Sequence, residues 1–167
     1  MAIRLNHTIV AAHDKETAAK FLSEILNLPA PSLLGPFATV RVSDDTSLDY
    51  ITVDGEITSQ HYAFLVDENE FDEIFERIRE RRLTYWADPR RNEREQINTW
   101  DGGRGLYFDD PNGHLLEIIT RPYGSGGTTA SQVHPLFAGH ESRRSAHQPK
   151  NSGGRLATAE RPDQRDD

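Results

Sequence analysis

Apolar residues recur along the first 123 positions in two alternating rhythms. Between residues 14 and 28, Ala18, Phe21, Leu22 and Ile25 stand at i, i+3, i+4 and i+7, one stripe of an amphipathic helix. Phe71, Ile74, Phe75 and Ile78 repeat that spacing. Asp67, with Glu70 three residues on, has the pattern of a cap that starts this second helix, and the arginines within 79–82 suit its C-terminal end. Around the helices lie short β-rich runs. Leu5-Asn6-His7-Thr8-Ile9 and Gln60-His61-Tyr62-Ala63-Phe64 precede them, residues 37–43 and 47–54 follow the first, and 105–109 and 114–121 follow the second. Asp54-Gly55 is a turn dipeptide, and Asp110-Pro111-Asn112-Gly113 between two runs predicts a hairpin.

The two halves repeat each other. At an offset of 54, Asn6-His7-Thr8 aligns with Gln60-His61-Tyr62, Asp14 with Glu68, Glu16 with Glu70 and Phe21 with Phe75. Each half reads strand, helix, then further strands, so the fold class is α+β. Paired βαβββ modules with their helices on one side leave the other faces of the sheets curved into a partly closed cleft.

Composition bounds the rest. The chain has 167 residues and no cysteine, which excludes disulfides, thiolate metal sites and a cysteine nucleophile. Lys and Arg number 19 against 27 Asp and Glu, a formal charge of -8 that disfavours nucleic acid as a partner. No apolar run is long enough to span a membrane and the first residues lack a signal-peptide core, so the expected location is the cytoplasm. From Gly124 onward Gly, Ser, Pro and mixed charge replace the periodic pattern. Residues 1–123 are read as one domain and 124–167 as a disordered tail, with a short apolar island at Val133-His134-Pro135-Leu136-Phe137.

Three polar residues interrupt the strand-like sequence. His7, His61 and Glu117, the last within Leu115-Leu116-Glu117-Ile118-Ile119, are costly in apolar strands unless paired, hydrogen-bonded or bound to a metal. A single strand histidine is ordinarily a satisfied structural residue. His7 and His61 hold equivalent places in the repeat, however, and an approximate twofold would bring them to opposite sides of one site with Glu117 completing the set. Two imidazoles and a carboxylate suit one divalent ion with open positions. Asp49 is the first-half counterpart of Glu117 and a possible fourth ligand. His114 lies an odd number of residues from Glu117, hence on the opposite strand face, and is excluded.

These residues resemble the vicinal oxygen chelate superfamily of glyoxalases, bleomycin resistance proteins and extradiol dioxygenases. The resemblance covers residues 3–123 and rests on Arg4-Leu5-Asn6-His7-Thr8, on His61, and on the segment from Gly105 through Tyr107 and Asp110-Pro111-Asn112-Gly113 to Glu117. It implies a cleft between paired modules in which a metal on His7, His61 and Glu117 chelates two neighbouring oxygens of a small molecule. It also implies a homodimer. The three-ligand pattern and Tyr107, ten residues before Glu117, resemble the ring-cleaving dioxygenases and imply Fe(II) first, with Mn(II), Zn(II) or Ni(II) as alternatives. The upstream histidine of the dioxygenase signature would fall at Thr99, a departure. Metal-dependent lyases, isomerases and resistance transferases share the scaffold, as do metal-free proteins that sequester drugs.

For the chemistry, Tyr107 is the candidate hydrogen-bond donor to substrate. Arg104, in Asp101-Gly102-Gly103-Arg104-Gly105, and Arg41, on a face with Phe37 and Thr39, are candidates for holding an anionic substrate. Trp100 is a candidate aromatic wall, a place that Trp86 and Tyr50 could also take.

Overall fold

The computed structural model describes residues 3–126. The predicted tail beyond residue 126, with its apolar island, lies outside them. Two four-stranded mixed sheets each carry one helix. The first module runs β1 (His7–Ala12), α1 (Lys15–Leu26), β2 (Ser32–Leu34), β3 (Phe37–Arg41) and β4 (Ser47–Thr52), and the second runs β5 (His61–Leu65), α2 (Glu68–Glu80), β6 (Tyr85–Trp86), β7 (Gly105–Asp109) and β8 (Leu115–Ile119). The spatial orders are β1-β4-β3-β2 and β5-β8-β7-β6, with β1 parallel to β4 and β5 parallel to β8 and every other pair antiparallel. The expected α+β arrangement of paired modules stands, and the sheets are not closed into a barrel. Strands β2 and β6, too short to show a rhythm of their own, escaped the sequence reading.

Local chemistry fixes the helix ends. Asp14 caps α1 by accepting from the backbone N–H groups of Glu16 and Thr17, and Asn27 ends it in the left-handed conformation. Asp67 and Glu70 close a reciprocal capping box on α2. The two caps lie 53 residues apart while the strand histidines lie 54 apart, because β1 is one residue longer than β5. The 54-residue offset therefore holds from β1 to β5 and slips by one at the helix starts, while β3 and β4 lie 68 residues before β7 and β8.

Each sheet buries its helix-side face. Val10, Ala12, Ala38, Val40, Leu48 and Tyr50 meet Ala18, Ala19, Leu22 and Ile25 of α1 in one core with Leu106, Phe108, Leu116 and Ile118 and with Phe71, Ile74 and Ile78 of α2. Period-two alternation then sends the intervening residues to the opposite, open faces. His7, Ile9 and Asp49 share such a face in the first module and His61, Ala63, Leu65, Tyr107 and Glu117 in the second. Ile9 is 55% exposed and Leu65 60%, large aliphatic side chains that no described residue covers.

His114, excluded as a ligand, ties the modules together. Its Nδ1 accepts from the Gln60 N–H at 3.0 Å and its Nε2–H donates to the Ala11 carbonyl at 2.8 Å, so both ring nitrogens are spent and the residue is 1% exposed. The predicted hairpin forms around Asp110, whose Oδ1 accepts from the N–H groups of Asn112 and His114, with Gly113 at positive φ.

Close approach makes one glycine necessary. Gly105 exchanges both backbone hydrogen bonds with Asn98, and a Cβ there would sit 2.8 Å from Asn98 Oδ1. Asn98 cannot swing aside without losing its Nδ2–H bond to the Ala87 carbonyl. Gly105→Ala is expected to lower the free energy of unfolding by about 1–3 kcal/mol, measured by urea denaturation.

Candidate metal centre

Glu117 lies at the middle of β8, flanked in register by Ala63 of β5 and Tyr107 of β7, and is completely buried. An isolated carboxylate there would cost several kcal/mol. Each of its oxygens has a partner. Oε2 faces His61 Nε2 at 3.1 Å, and Oε1 accepts a short hydrogen bond from the Tyr123 hydroxyl. The Tyr107 hydroxyl lies 3.1 Å from that of Tyr123. The His61 ring stacks on Tyr107 at 5.9 Å between centroids, and Trp100, on a 3-10 turn (Trp100–Gly102), tilts against Tyr107 at 6.3 Å.

The His61 ring is oriented by its second nitrogen. Nδ1 lies 3.1 Å from the Leu115 carbonyl, which can only accept, so this partner assigns the proton to Nδ1. In the neutral ring Nε2 then turns a lone pair toward a carboxylate oxygen, and two acceptors face each other. Only a proton or a cation relieves that juxtaposition. A metal-binding histidine characteristically donates its remote N–H to a carbonyl in this way, and a 3.1 Å N···O separation is roughly the edge of a coordination polyhedron with bonds near 2.1 Å. The donor chemistry thus fits a divalent ion at His61 and Glu117.

Without such an ion, the hydrogen bond to Glu117 raises the His61 pKa above its ordinary 6.5, against the opposing effect of burial. A raised folded-state pKa means that the pair's contribution to stability is full below about pH 6.5 and is lost as pH rises through the raised value. Titration of metal-free protein by imidazole NMR is expected to place His61 above 6.5, and in Glu117→Gln to return it toward the ordinary value. Burial and then the neighbouring Glu117 carboxylate push the phenols of Tyr107 and Tyr123 well above the usual tyrosine range, so both remain protonated donors.

The other sequence-predicted residues fall elsewhere. His7 opens β1 and is exposed; its Nδ1 lies 2.8 Å from Asn6 Oδ1, an orientation that presents Nε2 on the open face of the first sheet. Among the described residues no three His, Asp or Glu side chains come together around a metal position, so a single chain unites His61 with Glu117 but not with His7. Of the expected set, His61 and Glu117 are neighbours within the chain and His7 is not. The repeat makes the two histidines equivalent within their modules, which does not make them neighbours. Asp49 does match Glu117 in place. It stands two residues past the β4 partner of His7, as Glu117 stands two past the β8 partner of His61, and Ser47 Oγ donates to it at 3.1 Å.

Arg104 does not serve the open face. Its guanidinium lies 4.4 Å above the Phe71 ring, donating to Glu68 Oε2 at 2.7 Å, to the Glu68 carbonyl at 2.9 Å and to Asp72 Oδ1 at 2.5 Å, and so straps β7 to α2. The candidate substrate arginine is a structural residue because the strand enters the sheet with this side chain on the helix side. Arg41 does share the open face of the first sheet with Asp49, where its Nη1 donates to the Asp44 carbonyl at 2.8 Å. Tyr50 packs in the core and Trp86 carries the guanidinium of Arg91 at 5.5 Å, so of the aromatic candidates Trp100 is the one against Tyr107. A cavity of about 810 Å³ opens between α1 and β2, lined by Ser23, Glu24, Asn27 and Leu33 among others and by none of the residues around Glu117.

Tyr123 was missed by the sequence reading. It follows β8 in Arg121-Pro122-Tyr123-Gly124, a Pro- and Gly-bounded turn at the predicted end of the domain. An aromatic residue inside such a turn, six positions after a buried carboxylate, was the available signal.

Two βαβββ modules, each with a helix on one face of its sheet and the other face open, define a class of small α+β proteins. The chain belongs to the Glyoxalase/Bleomycin resistance protein/Dioxygenase superfamily, whose family model matches residues 4–118. It is an enzyme of that superfamily, as its relatives are. The solved structure of Oxidase ChaP-H2 is 61% identical and covers 76% of this chain and 100% of its own, with a TM-score of 0.74; that of Oxidase ChaP-H1 is 58% identical over 74% and 99%, with a TM-score of 0.72. Glutathione transferase FosA of Serratia marcescens is 31% identical over 121 residues, 68% of this chain and 78% of the relative. No helix among the described residues is long and apolar enough to cross a membrane.

Proposed function

We propose that this chain is a divalent-metal-dependent oxidase that uses molecular oxygen on a small molecule bearing two adjacent oxygens, and that its site is assembled in a homodimer. The observation that carries the metal is the acceptor pair, His61 Nε2 facing Glu117 Oε2 with Nδ1 already committed to Leu115. The likeness to the two ChaP oxidases over nearly their whole length favours oxygen chemistry over transfer or isomerisation. Ring cleavage of a catechol-like diol is the particular reaction that the ligand pattern and Tyr107 suit.

In this reading His61 and Glu117 supply two ligands and His7 of a second copy supplies the third. The exposed apolar residues Leu5 and Ile9 around His7, and Leu65 beyond His61, would be covered when the open face of one module meets that of another chain's second module. Asp49 would approach with His7, as a fourth ligand or a hydrogen-bond acceptor, and Arg41 would bring a cation for an anionic substrate group. A bound Fe(II) ion would supply Lewis acidity and a template for the two substrate oxygens, with Mn(II), Zn(II) or Ni(II) as the alternatives to test. Tyr107, held protonated by burial, would turn its hydroxyl from Tyr123 to a substrate oxygen, and cannot act as a base near neutral pH. Trp100, packed against Tyr107, would supply an aromatic wall.

The test is oxygen uptake by protein loaded anaerobically with Fe(II), across a panel of catechols and hydroxyquinones. Uptake with at least one member is expected, falling by about 100-fold in Tyr107→Phe. The resemblance to FosA favours a second reading, transfer of a thiol to an electrophilic substrate. Glutathione consumption without oxygen uptake would select it.

A further inference from the structure

Glu117 has two oxygens, and the fold treats them differently. Oε2 is turned to His61 Nε2, while Oε1 is taken by the Tyr123 hydroxyl. Tyr123 is not on a strand and owes its place to a turn that runs back across the sheet after β8. That turn is tied by the N–H of Gly124, which donates to Asp101 Oδ2 at 3.0 Å. Asp101 is 1% exposed and sits in the left-handed region at φ 54, on the same 3-10 turn that sets Trp100 against Tyr107. A chain of contacts thus runs from Asp101 through Gly124 and Tyr123 to one oxygen of a buried carboxylate, and Tyr107 braces the Tyr123 hydroxyl from the other side at 3.1 Å.

We propose that Tyr123 is a positioning residue that reserves Glu117 Oε1, so that the carboxylate binds the metal through Oε2 alone, and that Asp101 is the anchor that keeps Tyr123 in place. The inference rests on the metal reading above. Its physical basis is that a carboxylate with both oxygens unoccupied can rotate to hold an ion through either or both, whereas a hydrogen bond from a fixed phenol selects one oxygen and one orientation. It follows that the strap after β8 belongs to the site although it lies past the last strand. Removing the hydroxyl leaves Oε1 buried without a donor and the carboxylate free to rotate, so the ion loses a pre-oriented ligand even where the second oxygen swings toward it.

The experiment is titration of the full chain with Co(II), followed by calorimetry and by the visible d–d absorption of the bound ion. In Tyr123→Phe the Kd for Co(II) is expected to weaken by about 10-fold or more, within the 10–100-fold range usual for loss of a residue that orients a ligand. The absorption should change in intensity and position as the carboxylate adds a donor atom. Asp101→Gly keeps the left-handed backbone comfortable while deleting the anchor, and should shift affinity and spectrum in the same direction. The double variant should be little worse than the worse single variant, because both act through one hydrogen bond. If Tyr123→Phe binds Co(II) within about threefold of the wild type with the same spectrum, the inference is overturned, and equally so if its melting temperature drops while the folded fraction binds as before. Absence of Co(II) uptake by the wild type would overturn the metal reading itself and this inference with it. Uptake that is indifferent to Tyr123 overturns this inference alone.

Discussion

Glu117→Gln is expected to bind divalent metal more than about a hundredfold more weakly than the wild type, a loss beyond that of any residue acting through a ligand. The substitution keeps the shape of the side chain and removes its charge. It leaves an amide where the structure places a completely buried carboxylate between His61 Nε2 and the Tyr123 hydroxyl. Glu117→Ala should lose metal as well, but it also empties a packed position and strands two polar partners. The lost packing and hydrogen bonds lower stability as well, so the glutamine variant is the cleaner instrument. Elemental analysis of both proteins purified without chelators and reloaded with Fe(II), Mn(II), Zn(II) and Ni(II) decides the matter. Full metal in Glu117→Gln would remove the assignment of this site.

The second large effect separates a site within one chain from a site shared by two. His7→Ala and Glu117→Gln are each expected to hold no stoichiometric metal. Mixed at equal amounts under conditions that exchange subunits, they should regain metal at about a quarter of all sites: half of the dimers are then mixed, and each mixed dimer pairs one intact His7 with one intact His61 and Glu117. Sites built within single chains would regain nothing, since every chain carries a lesion. The structure motivates the shared arrangement, because His7 is exposed on the open face of the first sheet while the His61–Glu117 pair belongs to the second. Recovery near zero, with dimers shown to have exchanged, would overturn it.

Much of this was legible along the chain because it depends on local periodicity and local hydrogen bonding. The apolar stripes of α1 and α2 lie at helical spacing, the Asp67 and Glu70 capping box is written within four residues, and the Asp110 to Gly113 turn closes through its own side chain. Period-two alternation also told correctly that His114 and Glu117 face opposite ways, so that one spans the modules and the other looks into the open face. Strands β2 and β6, at three and two residues, hold too few positions to show any rhythm.

What depended on distant parts of the chain was not legible. Arg104 stands in a glycine-rich approach to β7 that reads as a substrate loop, yet the two acids and the ring that claim its guanidinium lie more than thirty residues earlier, on α2. Tyr123, the last residue of the predicted domain, sits between Pro122 and Gly124 with no strand rhythm around it, and only the fold brings Asp101 against Gly124 and so sets the phenol on Glu117. The sequence by itself determined the two modules, their helix caps, the strand faces and the equivalence of His7 with His61 and of Asp49 with Glu117, since all of these follow from spacing along one strand or one helix. The tertiary structure alone decided which of those residues meet: a repeat relates modules by symmetry, but distance between side chains is set by how the sheets pack, and that packing joins His61 to Glu117 and leaves His7 on the surface.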